Sequence, residues 1–186
     1  VEPRDSSKLL VYKKGTISED YYKNISSQLP KDAALVFNDT KVINSRIFFQ
    51  RPTGAVIEVF CLEPYNAQQD FANNFNQKGT ALWVCLVGKA GKWKEKQLDK
   101  TITVNGQKIV LSVEIVEKLT NAYIIKFSWN PSEFSFGEII NAAGIIPLPP
   151  YIKRIANKKD EETYQTVYSM HDGSVAAPTA GLRFTP

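Results

Sequence analysis

From Arg46 to Trp129 the chain is a succession of short apolar runs with a period of two, each punctuated by Gly, Asn or Pro. Side chains alternate between faces along a strand, so this pattern buries one face of a sheet and does not suit long helices. Ile47 to Gln50 and Ala55 to Leu62 flank the turn Arg51-Pro52-Thr53-Gly54. Ala81 to Val87 is the most apolar run. Thr101 to Val104 and Gln107 to Val116 flank Asn105-Gly106, the strongest short hairpin signal present, since that turn needs positive φ at both positions. A turn at Leu119 to Asn121 leads into Ala122 to Trp129. About six strands with little helix between them expose their edges unless the sheet closes, so the expected form is an antiparallel barrel or tightly curled sheet.

The flanks read differently. Thr16-Ile17-Ser18-Glu19 has the spacing of a capping box, which predicts a helix running to about Gln28 and stopping before Pro30. Ala33 to Phe37 is expected to be a short buried strand ending in Asn38-Asp39-Thr40, well placed to meet a ligand. Ser135-Phe136-Gly137-Glu138 is a second capping box, and the helix after it is expected to end on Gly144 in a left-handed cap. Pro147-Leu148-Pro149-Pro150 then forces a stiff, extended segment.

Composition narrows the function classes. With 186 residues, 43% hydrophobic and 23% charged, the chain is globular and holds one domain or two small ones. Its longest apolar run, Ala81 to Val87, is far short of the ~20 residues that a membrane span needs, and no signal segment opens it, so a soluble cytoplasmic protein is expected. The formal charge is +4, which favours polyanions only weakly. Lys89, Lys92, Lys94, Lys96 and Lys100 lie close together around Trp93: either a solvated loop, or a patch that neutralises phosphates while the indole stacks. Cys61 and Cys85, each inside an apolar run, are read as free buried thiols. The lone histidine, His171, has no companions at metal-ligand spacing, and its neighbours Asp172 and Ser174 do not make a nucleophilic triad, so zinc and hydrolase chemistry are disfavoured.

Four stretches spend polar or glycine residues where packing does not require them: RDSSKLLV at 4–11, VFNDTKVINSR at 36–46, PLPPYIKR at 147–154, and YQTVY at 164–168 with GSVAAPTAGLRF at 173–184. In order and spacing they resemble the S-adenosylmethionine:tRNA ribosyltransferase-isomerase family, over essentially the whole chain. The resemblance implies an α/β domain interrupted by an antiparallel β-barrel. Residues 1–45 and 148–186 would form the α/β part, incomplete here, and 46–147 the inserted barrel of about six strands.

It also implies a reaction. S-adenosylmethionine gives its ribosyl group, rather than its methyl, to 7-aminomethyl-7-deazaguanine at the wobble position of tRNA, forming epoxyqueuosine with release of adenine and methionine. Partners are therefore tRNA and S-adenosylmethionine, the latter a donor substrate, with no metal and no membrane; a monomer is expected. The sulfonium acidifies C5′ of the ribose, so a base is needed, and the departing adenine must gain a proton. On the matched motifs the implied catalytic residues are Asp5, Asp39 and Tyr164. Arg4, Lys41 and Arg46 are able to hold carboxylate or phosphate, and Arg154 and Arg183 stand with them in the implied substrate-binding set. Tyr151 and Tyr168 can stack on a base. Asn38, Thr40, Gln165, Gly173, Ser174, Pro178, Thr179 and Gly181 complete the implied substrate-binding set, the glycines allowing close backbone approach.

The chain departs from the family pattern in carrying Arg183 where His is usual, Lys8 where Arg is usual, and Asn44-Ser45 where Pro-Ala is usual. Arg183 replaces a titratable ring with a fixed charge. The family continues for a comparable length beyond this point, so the chain is expected to be a fragment of a longer enzyme, or the product of a shortened gene, and to be inactive alone. The alternative from another class is a noncatalytic RNA-binding β-barrel module.

Overall fold

The computed structural model describes residues 3–65, 71–148, 152–154 and 156–186. Pro149, Pro150 and Tyr151 lie outside the described residues. The chain divides into two compact units, Val1–Val42 with Lys158–Pro186, and Ile43–Asn157. Strands predominate and helices are few and short.

The first unit opens with a hairpin, β1 (Lys8–Lys13) against β2 (Thr16–Tyr21). The predicted helix from Thr16 is thus overturned. Lys14 and Gly15 both take positive φ, +46° and +85°, and make a tight turn whose twist suits two strands. β-Branched Thr16 and Ile17 favour the extended chain. Glu19, expected to close a capping box, instead reaches across the ladder to Lys8 at 3.1 Å. Only Ile25–Gln28 (α1) is α-helical. The predicted strand at Ala33 to Phe37 is also absent: the segment pairs with nothing and is exposed, Val36 at 96%. The strand starts later, at β3 (Thr40–Val42).

The second unit holds β4 (Arg46–Gln50), β5 (Val56–Pro64), α2 (Phe71–Phe75), β6 (Thr80–Gly88), β7 (Leu98–Val104), β8 (Gln107–Lys118), β9 (Tyr123–Asn130), α3 (Phe136–Ala143) and β10 (Gly144–Ile145). The six long strands fall where period two places them, and α2 emerges from the polar stretch after Pro64. All pair antiparallel in the order β10-β4-β5-β6-β9-β8-β7. Asn105 and Gly106 take φ of +49° and +84°, as the β7–β8 hairpin requires. Register shifts between Cys61 and Glu63 and between Ile115 and Glu117 bend the strands and let the sheet curl.

Of the two forms expected from sequence the sheet takes the curled one: among the described residues no ladder joins β7 to β4. The seam is filled instead. Lys100 of β7 donates to the Ala143 carbonyl at the end of α3 (2.8 Å), and the next two residues, as β10, pair with Arg46 and Ile47. Gly144 is therefore not a left-handed cap; its φ of −102° is extended. Glycine is needed because a Cβ there would overlap the Asn44 carbonyl oxygen.

α3 is held at its start by the capping box read from the sequence. The Ser135 N–H donates to Glu138 Oε2 at 2.8 Å, and the Glu138 N–H to Ser135 Oγ at 3.3 Å. The Ser135 N–H and hydroxyl, both donating to Glu138 Oε2, hold the Glu138 carboxyl below its ordinary range. The helix delivers Phe136, wholly buried, among the rings of Phe75, Trp83, Phe127 and Trp129, with centroids 5.1–6.1 Å away. Around them lie the inward residues of alternating strands, including Ile57, Val59, Leu111 and Ile125. Cys61 and Cys85 face each other across β5 and β6 as free, buried thiols, and burial pushes the Cys85 thiol up. Among the described residues no helix is long and apolar enough to cross a membrane.

Phe136→Ala should cost about 3–5 kcal/mol in urea unfolding, the range for emptying a buried ring site. A second outcome concerns pH. Arg51 Nε meets both oxygens of Glu95 (3.0 and 2.9 Å) and lowers its carboxyl from 4.5 to about 2. A depressed folded value means that this stabilisation is full above about 4.5 and lost as pH falls towards 2. Acid-unfolding curves of Glu95→Gln should therefore be flatter than wild type across that window.

Candidate functional site

The first unit joins segments more than 120 residues apart in sequence by a short ladder and a few hydrogen bonds. α4 (Lys158–Thr163) is followed by β11 (His171–Ser174), which pairs parallel with β3. Ahead of the ladder, the Asp39 carbonyl accepts from the N–H groups of Met170 (2.6 Å) and His171 (3.3 Å). Gln165 acts as a substitute strand: its Oε1 accepts from the Val42 N–H at 2.9 Å and its Nε2 donates to the Val42 carbonyl at 2.7 Å. Arg4 in turn donates to the backbone carbonyls of Gln165 (3.1 Å) and Glu162 (3.3 Å), so its guanidinium serves as a brace.

Beside this frame is a cleft of about 460 Å³ lined by Phe37, Asp39, Val167, Tyr168, Phe184 and Thr185. Its walls are aromatic. Phe37 meets Tyr168 and Phe184 edge to face (5.0 and 5.2 Å), and Tyr22 packs on Phe184 from behind at 5.2 Å. Burial among these groups raises the Tyr22 hydroxyl above its ordinary range. Gly181 is buried under Tyr168, and a Cβ there would overlap the Tyr168 hydroxyl. This is a close approach that only glycine allows.

Asp39 lines the cleft, and Asp5 touches its lining residue Thr185. Asp39 Oδ2 lies 3.1 Å from His171 Nδ1, and Asp5 Oδ2 accepts from the Thr185 hydroxyl at 3.4 Å. Asn38 Oδ1 accepts from the Thr40 N–H and hydroxyl (3.0 and 2.6 Å), an Asx turn that fixes the entry to β3. The Ser174 hydroxyl closes a local turn with Ala176, and Gly173 sits at the irregularity in β11. Pro178 accepts from the Gly181 N–H at 2.8 Å. Lys41, Thr179 and Arg183 are exposed, and Tyr164 is half-buried behind α4.

Not every residue singled out in the sequence belongs to this frame. Arg46 and Arg154 are in the other unit; Arg46 pairs with Glu58 at 2.8 Å and lies over Phe60, and Arg154 is exposed. Tyr151 is outside the described residues. His171, Phe37, Phe184 and Thr185 were missed as site residues. His171 sits in no motif, and its partner Asp39 is 132 positions away, so only folding reveals the pair. Among the described residues no group of three or more His, Cys, Asp or Glu is placed to hold a metal ion.

The comparisons with known proteins define the class. The family model for queuosine biosynthesis proteins matches residues 1–186, and the chain belongs to that family. Relatives named S-adenosylmethionine:tRNA ribosyltransferase-isomerase include those of Carboxydothermus hydrogenoformans, 39% identical over all of this chain and 48% of the relative, and Sulfurimonas denitrificans, 38% identical over 98% of this chain and 49% of the relative. That of Fusobacterium nucleatum is 38% identical over 99% of this chain and 47% of the relative. The chain thus spans about half the length of the curated relatives it matches. No solved structure matches it.

Gln165→Ala removes both side-chain bonds to Val42. The expected loss is about 1–3 kcal/mol, from leaving backbone groups short of partners. Amide hydrogen exchange should accelerate at Val42 and along β11, with little change in β8 and β9.

Proposed function

We propose that the chain supplies the donor pocket of an enzyme that transfers and isomerises the ribosyl group of S-adenosylmethionine onto 7-aminomethyl-7-deazaguanine in tRNA. The observation that carries this reading is the aromatic cleft with Asp39 at its edge, in a chain matched by the queuosine family over its whole length. Phe37, Tyr168 and Phe184 offer flat apolar walls suited to adenine. Asp39 is poised beside the ribose to take the C5′ proton, with its backbone carbonyl already spent on Met170 and His171. Asp5, tied to Thr185 on the cleft wall, helps to hold the positively charged sulfonium end, and Tyr164 is a candidate proton donor to the departing adenine. Lys41 and Arg183, both exposed, are left to meet the methionine carboxylate or tRNA phosphate. A tRNA acceptor places the reaction in the cytoplasm.

The wider architecture follows from the same unit. We take residues 1–45 and 148–186 as part of an α/β domain interrupted by the 46–147 insertion. The parallel β3–β11 pair supports this, because parallel strands occur almost only in sheets covered on both faces. So do exposed Leu35, Val36 and Phe37, an apolar segment with strand composition and no partner strand among the described residues. The remaining half of a full-length protein would complete that sheet.

The reading is tested by titrating S-adenosylmethionine into the chain and following backbone amide shifts. Saturable shifts centred on Phe37–Thr40 and Val167–Tyr168, weakened about tenfold or more by Phe37→Ala, are the expected result. Shifts confined to the second unit would overturn the assignment of the cleft. In a full-length enzyme, Asp39→Asn should lower kcat by about 10²–10⁴ if Asp39 is the base; unchanged turnover would remove it from the chemistry.

A further inference from the structure

The loop between β6 and β7 is built to hold positive charge at fixed positions. Lys89 takes the left-handed conformation (φ +59°) and starts a single 3-10 turn, in which the Lys92 N–H donates to the Lys89 carbonyl at 2.8 Å. Trp93 is 93% buried beneath the loop, so its indole is an anchor and cannot stack on a base, contrary to the stacking role considered from sequence. Two residues on, Glu95 is clamped by Arg51 through both carboxylate oxygens, and the Lys94 N–H adds a third bond at 3.1 Å. Lys100, the fifth lysine of the cluster, is spent on the Ala143 carbonyl.

What remains outward is Lys89, Lys92, Lys94 and Lys96, all exposed. The one carboxylate among them, Glu95, is compensated by Arg51. Asp99, further along, accepts from Gln97 at 2.7 Å. An ordinary solvated loop would not be pinned at two successive points by a buried indole and a two-oxygen clamp. Such pinning lowers the entropy lost when lysines engage a ligand, and the compensated Glu95 removes local repulsion towards anions.

We propose that this loop is a docking surface for the phosphodiester backbone of RNA, with Lys89, Lys92, Lys94 and Lys96 each meeting phosphate. The proposal rests on the reading that tRNA is the acceptor. It places tRNA contact on the loop between β6 and β7 of the second unit, and it involves no base recognition. Such contacts position an RNA without reading its sequence.

The test is fluorescence anisotropy with an unmodified tRNA transcript and the 186-residue chain at several salt concentrations, without S-adenosylmethionine. Replacing the four loop lysines by Gln should reduce the slope of log Kd against log salt by about 3, and weaken binding by about thirtyfold or more at 50 mM salt. A control variant with Lys78, Lys108, Lys118 and Lys126 changed to Gln removes equal charge from the same unit and should change Kd less than about threefold. Arg51→Gln keeps every loop lysine but leaves Glu95 uncompensated, and should weaken binding severalfold; circular dichroism reports whether each variant stays folded. Equal losses in the loop and control variants, or none in the loop variant, would overturn the proposal. S-adenosylmethionine titration of the loop variant should match wild type, so failure of the donor reading and failure of this one are seen separately.

Discussion

Phe136 is the side chain on which the second unit turns. Among the described residues no ladder joins the two ends of the curled sheet, and α3 covers its interior by laying one ring among four others from α2 and the central strands β6 and β9. Each part of this cover has a local cause. The capping box starts the helix, Lys100 binds its last carbonyl, and Gly144 lets the chain pass against Asn44 into the edge pairing with β4. A ring of five aromatics offers both apolar area and edge-to-face geometry, which is why one eight-residue helix suffices.

The first unit solves a different problem with fewer apolar groups. Its two segments are far apart in sequence, and few side chains lie deep within it: Val11, Val42 and Gly181 are among the buried ones, with Asp160 and Thr166. It relies on side-chain amide and guanidinium bonds to backbone, from Gln165 and Arg4, to do what a longer ladder would otherwise do. Such bonds hold only while both segments are in place, so the cleft and the frame form together. The apolar segment Leu35–Phe37 of this unit stays exposed.

The strand-rich middle was legible because its signals are local. Period two, the Asn105-Gly106 turn and the Ser135 capping box each act within a few residues, and the strands and α3 appear where these place them. The errors share a cause too. Thr16-Ile17-Ser18-Glu19 satisfies the spacing of a capping box, yet the preceding Lys14-Gly15 turn and the facing strand decide the matter for β2. Ala33 to Phe37 has the composition of a strand but no neighbour to pair with, and a strand exists only in a ladder. The sheet curls as expected, whereas strand count alone does not say what occupies its open seam.

For the site, the sequence by itself determined membership: five motifs in order resemble the family, whose model matches residues 1–186. It also determined that Asp39, Tyr168 and Gly181 stand in those motifs. Only the tertiary structure decided that Phe37, Phe184 and Thr185 line one cleft with Asp39, that His171 meets Asp39, and that Gln165 and Arg4 act as braces. It likewise turned Trp93 from a surface ring into an anchor, and paired Arg46 with Glu58. The physical reason is the range of the interactions. Turn and cap chemistry is fixed within four residues, whereas burial and pairing depend on whichever distant groups the fold brings within a few ångströms.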